Sequence, residues 1–144
     1  MSLSQTTIDV VKATAPLVAD NAEKITSRMY EILFSSYPGM EELFADADPN
    51  QHKKLASAVS AYAANIDNLD VLSGAIEKMA ATHVAKKVKP SHYPMVAVAI
   101  LGAMDEVLGE AATEEILTAW KDAYLYLAHI LINKEKELYA LAAE

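Results

Sequence analysis

His83 is the residue of this sequence best placed to bind a metal or a cofactor. In and just before the stretch "KMAATHVAKKVKP", Ile76, Met79, Ala80 and His83 recur at the spacing that lines one face of an α-helix. The imidazole therefore shares a side with apolar residues and points inward. A histidine on such a face is more often a hydrogen-bonded core residue than a ligand, so the spacing alone leaves both interpretations open.

The remaining metal-binding residues do not complete a multi-ligand site. The other histidines are at 52, 92 and 129, and none of the four lies three or four residues from another, the spacing that would place two imidazoles on one helix face. The chain has no cysteine, which excludes thiolate ligands, disulfides and cysteine nucleophiles. A single inward histidine is sufficient for haem, because that cofactor brings its own nitrogen ligands and needs only one imidazole and an apolar slot.

Composition and motifs exclude several other functions. The sequence contains no G-x-S-x-G, no glycine-rich loop after a strand and no H-E-x-x-H. A net charge of −8 argues against nucleic acid as a partner, because phosphate backbones attract basic surfaces. Charged or polar residues interrupt every apolar run before it reaches the length that spans a bilayer. The first residues lack the basic start and apolar run of a secretory signal, so we expect a cytoplasmic protein without membrane insertion.

Helices are predicted along the whole chain, because only four glycines and five prolines interrupt it. Ser4 is the expected N-cap of the first helix, and Pro16 is expected to kink or end it. We predict an all-α fold of six or seven helices in one domain, 1–144. Their unequal lengths favour an orthogonal arrangement with a pocket over an up-down bundle. Besides the helix that carries His83, the predicted helices are 5–17, 21–36, 51–68, 93–108 and 113–140.

Four blocks of the sequence carry a family resemblance. "SRMYEILFSSYPGMEELF", "LASAVSAYAANIDNL", "KMAATHVAKKVKPSHYP" and "EVLGEAATEEILTAWKDAY" resemble the globin domain of flavohaemoglobins and the single-domain bacterial haemoglobins. They occur in the family's order and at its spacings. The resemblance implies a globin fold around a haem pocket, haem b as cofactor, and His83 as the proximal ligand of the iron.

On the distal side, the resemblance implies that the Tyr30 hydroxyl donates a hydrogen bond to bound dioxygen; the alternative is a core tyrosine. Gln51 matches the distal glutamine, one helical turn before Leu55, which matches the leucine above the iron. His52 lies about 100° away from that face, so we expect it to be solvated. The loop of residues 45–50 is shorter than in the family.

On the proximal side, Tyr93 and Glu137 match the family's pair around the histidine. A carboxylate that accepts the second imidazole N–H orients the ring and makes the iron-bound nitrogen more electron-rich. The alternative for Glu137 is a surface acid of the charged stretch "NKEKELY".

Further residues are expected around the haem. Tyr126 stands where relatives carry a small aliphatic residue and could fill or polarise the pocket. The apolar helix "MVAVAILGAM" marks either a subunit contact or a deep core, which leaves monomer and homodimer open. The apolar residues predicted to touch haem are Phe44, Leu55, Met79, Val96 and Ile100, and core packing is the alternative for each of them. Thr82 and Lys86 are predicted to contact the haem propionates.

Three functions compete at this stage. The first is oxidation of nitric oxide to nitrate with bound dioxygen, the second is oxygen storage or delivery, and the third is a haem-free helical module. Dioxygen, nitric oxide and carbon monoxide are the expected ligands. Because the sequence ends at Glu144, just after the last predicted helix, we expect the flavin and nicotinamide domains of flavohaemoglobins to be absent and a separate flavin reductase to be required.

Overall fold

The computed structural model describes residues 3–44 and 50–143, and helices joined by short turns make up these ranges. Three 3₁₀ segments, Pro38–Phe44, Leu69–Leu72 and Gly109–Ala111, connect the longer helices. No strand occurs in this part of the chain, and the predicted all-α fold is confirmed. The α-helices are α1 (Gln5–Ser36), α2 (Gln51–Ala64), α3 (Ser73–Ala85), α4 (His92–Leu108) and α5 (Glu114–Ala143).

Helix α1 joins the two helices that were predicted separately at 5–17 and 21–36. Ser4 caps it as expected, since its hydroxyl accepts a hydrogen bond from the Thr7 amide at 3.1 Å. Pro16 lies inside the helix without ending it. An interior proline costs roughly 3 kcal/mol, whereas burying one large apolar side chain contributes roughly 1.5 to 3 kcal/mol. The face of α1 that continues through the proline buries Val11, Val18, Ile25, Met29 and Leu33, each at most 1% exposed.

Helices α2 and α3 pack against different parts of the fold. Helix α1 packs against α2, α4 and α5, while α3 packs mainly against α5. Within the described residues, α2 and α3 do not pack against each other to the extent that these helix pairs do. The buried core is accordingly divided into a larger cluster around α1 and a smaller one formed by Ile76, Ala80, Tyr93, Ala128 and Leu131. No helix in the described ranges is long and apolar enough to cross a bilayer.

Candidate functional site

His83 is held from one side by residues of two other helices. Its Nδ1 atom lies 2.9 Å from Glu135 Oε2 on α5 and 2.9 Å from the Tyr93 hydroxyl on α4. The same hydroxyl donates to both Glu135 oxygens, at 2.7 and 2.9 Å. The Glu135 side chain is only 4% exposed, whereas that of His83 is 28% exposed. The three groups therefore form a network with a buried carboxylate at its centre.

The network determines which imidazole nitrogen can bind a metal. Burial, together with the hydrogen bond to Glu135, raises the pKa of Tyr93, so its hydroxyl stays protonated and acts as a donor. The carboxylate can then accept a second proton from His83 Nδ1–H. This assignment leaves Nε2 with a free lone pair, and Nε2 has no hydrogen-bond partner within the described ranges. A neutral imidazole oriented through its other nitrogen is the form that binds iron.

The prediction that Glu137 supplies this carboxylate is wrong. Glu137 is exposed, because two residues along a helix correspond to a rotation of about 200°. Glu135 belongs instead to the buried stripe of α5, where it follows Ala128 and Leu131 at helical spacing. That apolar spacing is present in the sequence and was the signal that could have identified Glu135.

Two tyrosines of α5 that sequence reasoning missed extend this support. The Tyr124 hydroxyl donates to the Tyr93 carbonyl at 2.9 Å, and the Tyr139 hydroxyl donates to the Val88 carbonyl at 2.6 Å. Tyr126, which was predicted to matter, is half-buried and makes neither contact. One face of α5 thus anchors the proximal histidine network and the corner that follows α3.

The structure brings together predicted distal residues from α1, the 3₁₀ segment that follows it and the start of α2. Tyr30 and Phe44 pack edge-on with ring centroids 5.2 Å apart, and Phe34 lies 5.7 Å from Tyr30. Burial raises the pKa of Tyr30 to about 12, although the neighbouring Gln51 side chain acts to lower that pKa. A neutral phenol is therefore available as a donor. Leu55, one turn after Gln51, is half-buried.

His52 is not part of this distal group. Its backbone carbonyl accepts a hydrogen bond from the Thr26 hydroxyl at 2.7 Å, and in the described ranges its imidazole has no hydrogen-bond partner. Residues 45–49 of the loop that was predicted to be short lie outside the described residues.

The remaining predicted contacts divide by exposure. Ile100 is buried, while the apolar side chains Phe44, Leu55, Met79 and Val96 are only half-buried. Thr82 and Lys86 are exposed, and the Thr82 hydroxyl donates to the Lys78 carbonyl of its own helix. Half-buried apolar side chains and one imidazole with a free Nε2 are what haem requires from its pocket, and a protonated phenol could donate to a ligand on the iron. The residues that are present therefore fit this group.

This combination of fold and site defines a helical haem protein, and the chain belongs to the globin family. The family model described as Globin matches residues 27–131. A globin-like protein of Aquifex aeolicus is 51% identical over 138 residues, which cover 96% of this chain and 98% of the relative. A flavohemoprotein of Xylella fastidiosa is 45% identical over 93% of this chain, which spans only 34% of that longer protein.

Solved structures agree with this assignment. One is an engineered carbene transferase built on a proposed nitric oxide dioxygenase from Rhodothermus marinus, and it is 42% identical to this chain. The alignment covers 99% of this chain and 100% of the transferase, with a TM-score of 0.95. A Malassezia yamatoensis flavohemoglobin with bound FAD and haem is 27% identical to this chain. The alignment covers 97% of this chain and 38% of the flavohemoglobin chain, with a TM-score of 0.78. Family and structure together imply a haem cofactor for this chain.

Proposed function

We propose that residues 1–144 form one globin domain that binds haem b, with His83 Nε2 as the residue atom that would bind the iron. It binds dioxygen reversibly and oxidises nitric oxide to nitrate in the cytoplasm, with a separate flavin reductase as electron source. Haem iron supplies the centre at which dioxygen and nitric oxide react. Carbon monoxide is expected as a competing ligand.

The buried carboxylate at His83 carries this proposal. A full negative charge 2.9 Å from Nδ1 makes the imidazole a stronger electron donor than a backbone carbonyl acceptor would. Stronger donation from His83 would stabilise the oxidised state of a bound haem and would favour O–O chemistry over simple reversible delivery. The Tyr93 hydroxyl, which contacts both partners, fixes the distance between imidazole and carboxylate.

The distal residues serve the same reaction. The neutral Tyr30 phenol donates a hydrogen bond to a ligand that takes up partial negative charge, and Gln51 orients that hydroxyl. Phe44, Leu55, Met79, Val96 and Ile100 form the apolar walls, Tyr126 narrows the pocket, and Thr82 and Lys86 contact the propionates. Apolar walls exclude water, which strengthens the hydrogen bond from Tyr30.

The reaction requires a supply of electrons. Nitric oxide, dioxygen and one electron combine to nitrate, and bound haem would supply that electron. A reductase must return that electron before the next cycle. Flavohemoproteins, of which this chain spans about a third, are relatives that combine a haem and a flavin, as in the Malassezia structure with both cofactors.

Consumption of nitric oxide tests the proposal. The purified holoprotein under air, supplied with NADH and a flavin reductase, should consume many equivalents of nitric oxide per haem and release one nitrate for each. Consumption that stops after one equivalent, although the haem is re-reduced, would leave the protein an oxygen carrier for storage or delivery. Glu135→Gln should slow turnover, and Glu137→Gln is the matched control that should not.

A further inference from the structure

The proximal end of the molecule carries a concentration of positive charge on an otherwise acidic chain. Between Glu77 and Asp105 there are four lysines and no aspartate or glutamate, while the whole chain has a net charge of −8. Three of these lysines, Lys86, Lys87 and Lys89, occupy the corner between α3 and α4, and all three are exposed. None forms an ion pair within the described ranges.

Helix α5 adds a fourth lysine to this corner. The hydrogen bond from Tyr139 to the Val88 carbonyl brings the end of α5 against the corner. Lys136 lies three residues before Tyr139 and therefore on nearly the same side of the helix. Glu137 lies two residues before Tyr139, which corresponds to a rotation of about 200° from Tyr139. Lys136 is exposed. We call Lys86, Lys87, Lys89 and Lys136 the basic corner.

Lys87 occupies a backbone position at which a residue with a side chain is strained. The Lys87 amide donates to the Val84 carbonyl and the Val88 amide donates to the His83 carbonyl, which is the pattern of a Schellman motif. Lys87 therefore adopts a left-handed backbone with φ of 63°. Glycine fills that position without strain, while a residue with a Cβ atom is strained there. The lysine side chain thus has no local conformational advantage.

The corner is also linked directly to the proximal histidine. The hydrogen bond from the Val88 amide to the His83 carbonyl spans 2.9 Å, so the exposed turn is joined through the backbone to the residue that holds the iron. A protein that docks on the basic corner is thereby placed at the proximal edge of the haem site. Four lysines on an acidic chain are too few for a nucleic-acid surface, but they suit a partner with an acidic patch.

We propose that the basic corner is the docking surface for an acidic electron-transfer protein that carries a reduced flavin. This inference rests on the proposed function, because that function requires an external electron source. In the docked pair the reduced flavin loses one electron and the ferric haem iron gains it, so no other reactant is needed. At about 0.1 M salt the screening length is about 10 Å, so acidic residues farther than that from the corner contribute little to its local potential.

Reduction of the ferric holoprotein, followed by stopped flow without nitric oxide, tests the inference. The probe is reduced flavodoxin, chosen for its acidic surface and one-electron flavin. The double variant Lys87→Glu with Lys89→Glu should lower the second-order rate about tenfold at low salt, and the difference should shrink at high salt. The matched control, Lys24→Glu with Lys121→Glu, changes the net charge equally at two exposed positions away from the corner and should have a small effect.

Two further measurements guard against misfolding and against a failure of the proposed function. Lys87→Gly should raise the melting temperature by relieving the left-handed strain, yet slow reduction by flavodoxin. Amide NMR signals of 86–89 should shift on addition of oxidised flavodoxin. Equal slowing of flavodoxin-driven reduction in both double variants, or unshifted amide signals at 86–89, would overturn the docking surface. That conclusion would hold even if nitric oxide turnover is sustained with a chemical reductant. Corner-dependent reduction without such turnover would overturn the proposed enzyme function alone.

Discussion

Glu135→Gln separates the charge of the proximal carboxylate from its hydrogen bonds. Glu135 Oε2 accepts from both His83 Nδ1 and the Tyr93 hydroxyl, at 2.9 and 2.7 Å. An amide oxygen in that place can accept both bonds, and the amide nitrogen can donate to the Tyr93 oxygen, so the geometry is preserved. Hydrogen bonds to charged groups contribute about 1.5 to 3 kcal/mol and neutral ones about 0.5 to 1.5 kcal/mol.

The loss of charge should raise the reduction potential of the haem iron. The difference between the two kinds of hydrogen bond is about 1 to 1.5 kcal/mol. If that difference acts on the ferric state, it corresponds to about 40 to 65 mV for one electron, because about 1.4 kcal/mol, a factor of ten, equals 59 mV. The shift is upward because ferric iron carries the additional positive charge that the carboxylate stabilises.

Spectroelectrochemical titration of the haem measures this shift, with Glu137→Gln as the control. Because Glu137 is exposed, its charge is screened by solvent and salt, and its removal should shift the potential by about 10 mV or less. Retention of haem in both variants, shown by their absorbance spectra, is required for the comparison. An unchanged potential in Glu135→Gln, or equal shifts in the two variants, would refute the argument from the buried carboxylate.

Three other outcomes follow from the site and the core. Tyr30→Phe should accelerate oxygen release about ten- to a hundredfold, because a hydrogen bond to a partly charged ligand contributes about 1.5 to 3 kcal/mol. Carbon monoxide release should change little. Equal acceleration of both release rates in flash photolysis would assign Tyr30 to packing. His83→Ala should lose the haem or bind it weakly, and a variant with an unchanged five-coordinate spectrum would contradict His83 as the ligand. Burial raises the pKa of Tyr30 to about 12 and shifts the pKa values of Tyr62, Tyr93 and Tyr124 in the same direction. Above about pH 10 the unfolded chain therefore releases protons that the native protein keeps. The free energy of unfolding, measured with urea, should fall as the pH rises from about 10 to 12 and not below that window; a flat profile there would contradict the burial argument.

Much of the helical structure could be predicted from the sequence, because helical spacing and capping are local properties. The cap at Ser4, the start of α2 at Gln51 and the end of α4 at Leu108 agree with the structure. The break predicted near Pro16 does not, because proline propensity is local while the burial of α1 against three other helices is not. Tertiary burial therefore decided the continuity of α1.

The site shows the same division. The sequence by itself placed His83 on an apolar face, because that placement depends on short-range spacing. The resemblance to the family implied the common distal role of Tyr30 and Gln51. The sequence did not determine which carboxylate reaches His83 from a helix 52 residues away along the chain. That choice depends on how α5 is rotated about its own axis. The packing of Ala128 and Leu131 against α3 and α4 sets this rotation. The rotation buries Glu135 and turns Glu137 to solvent.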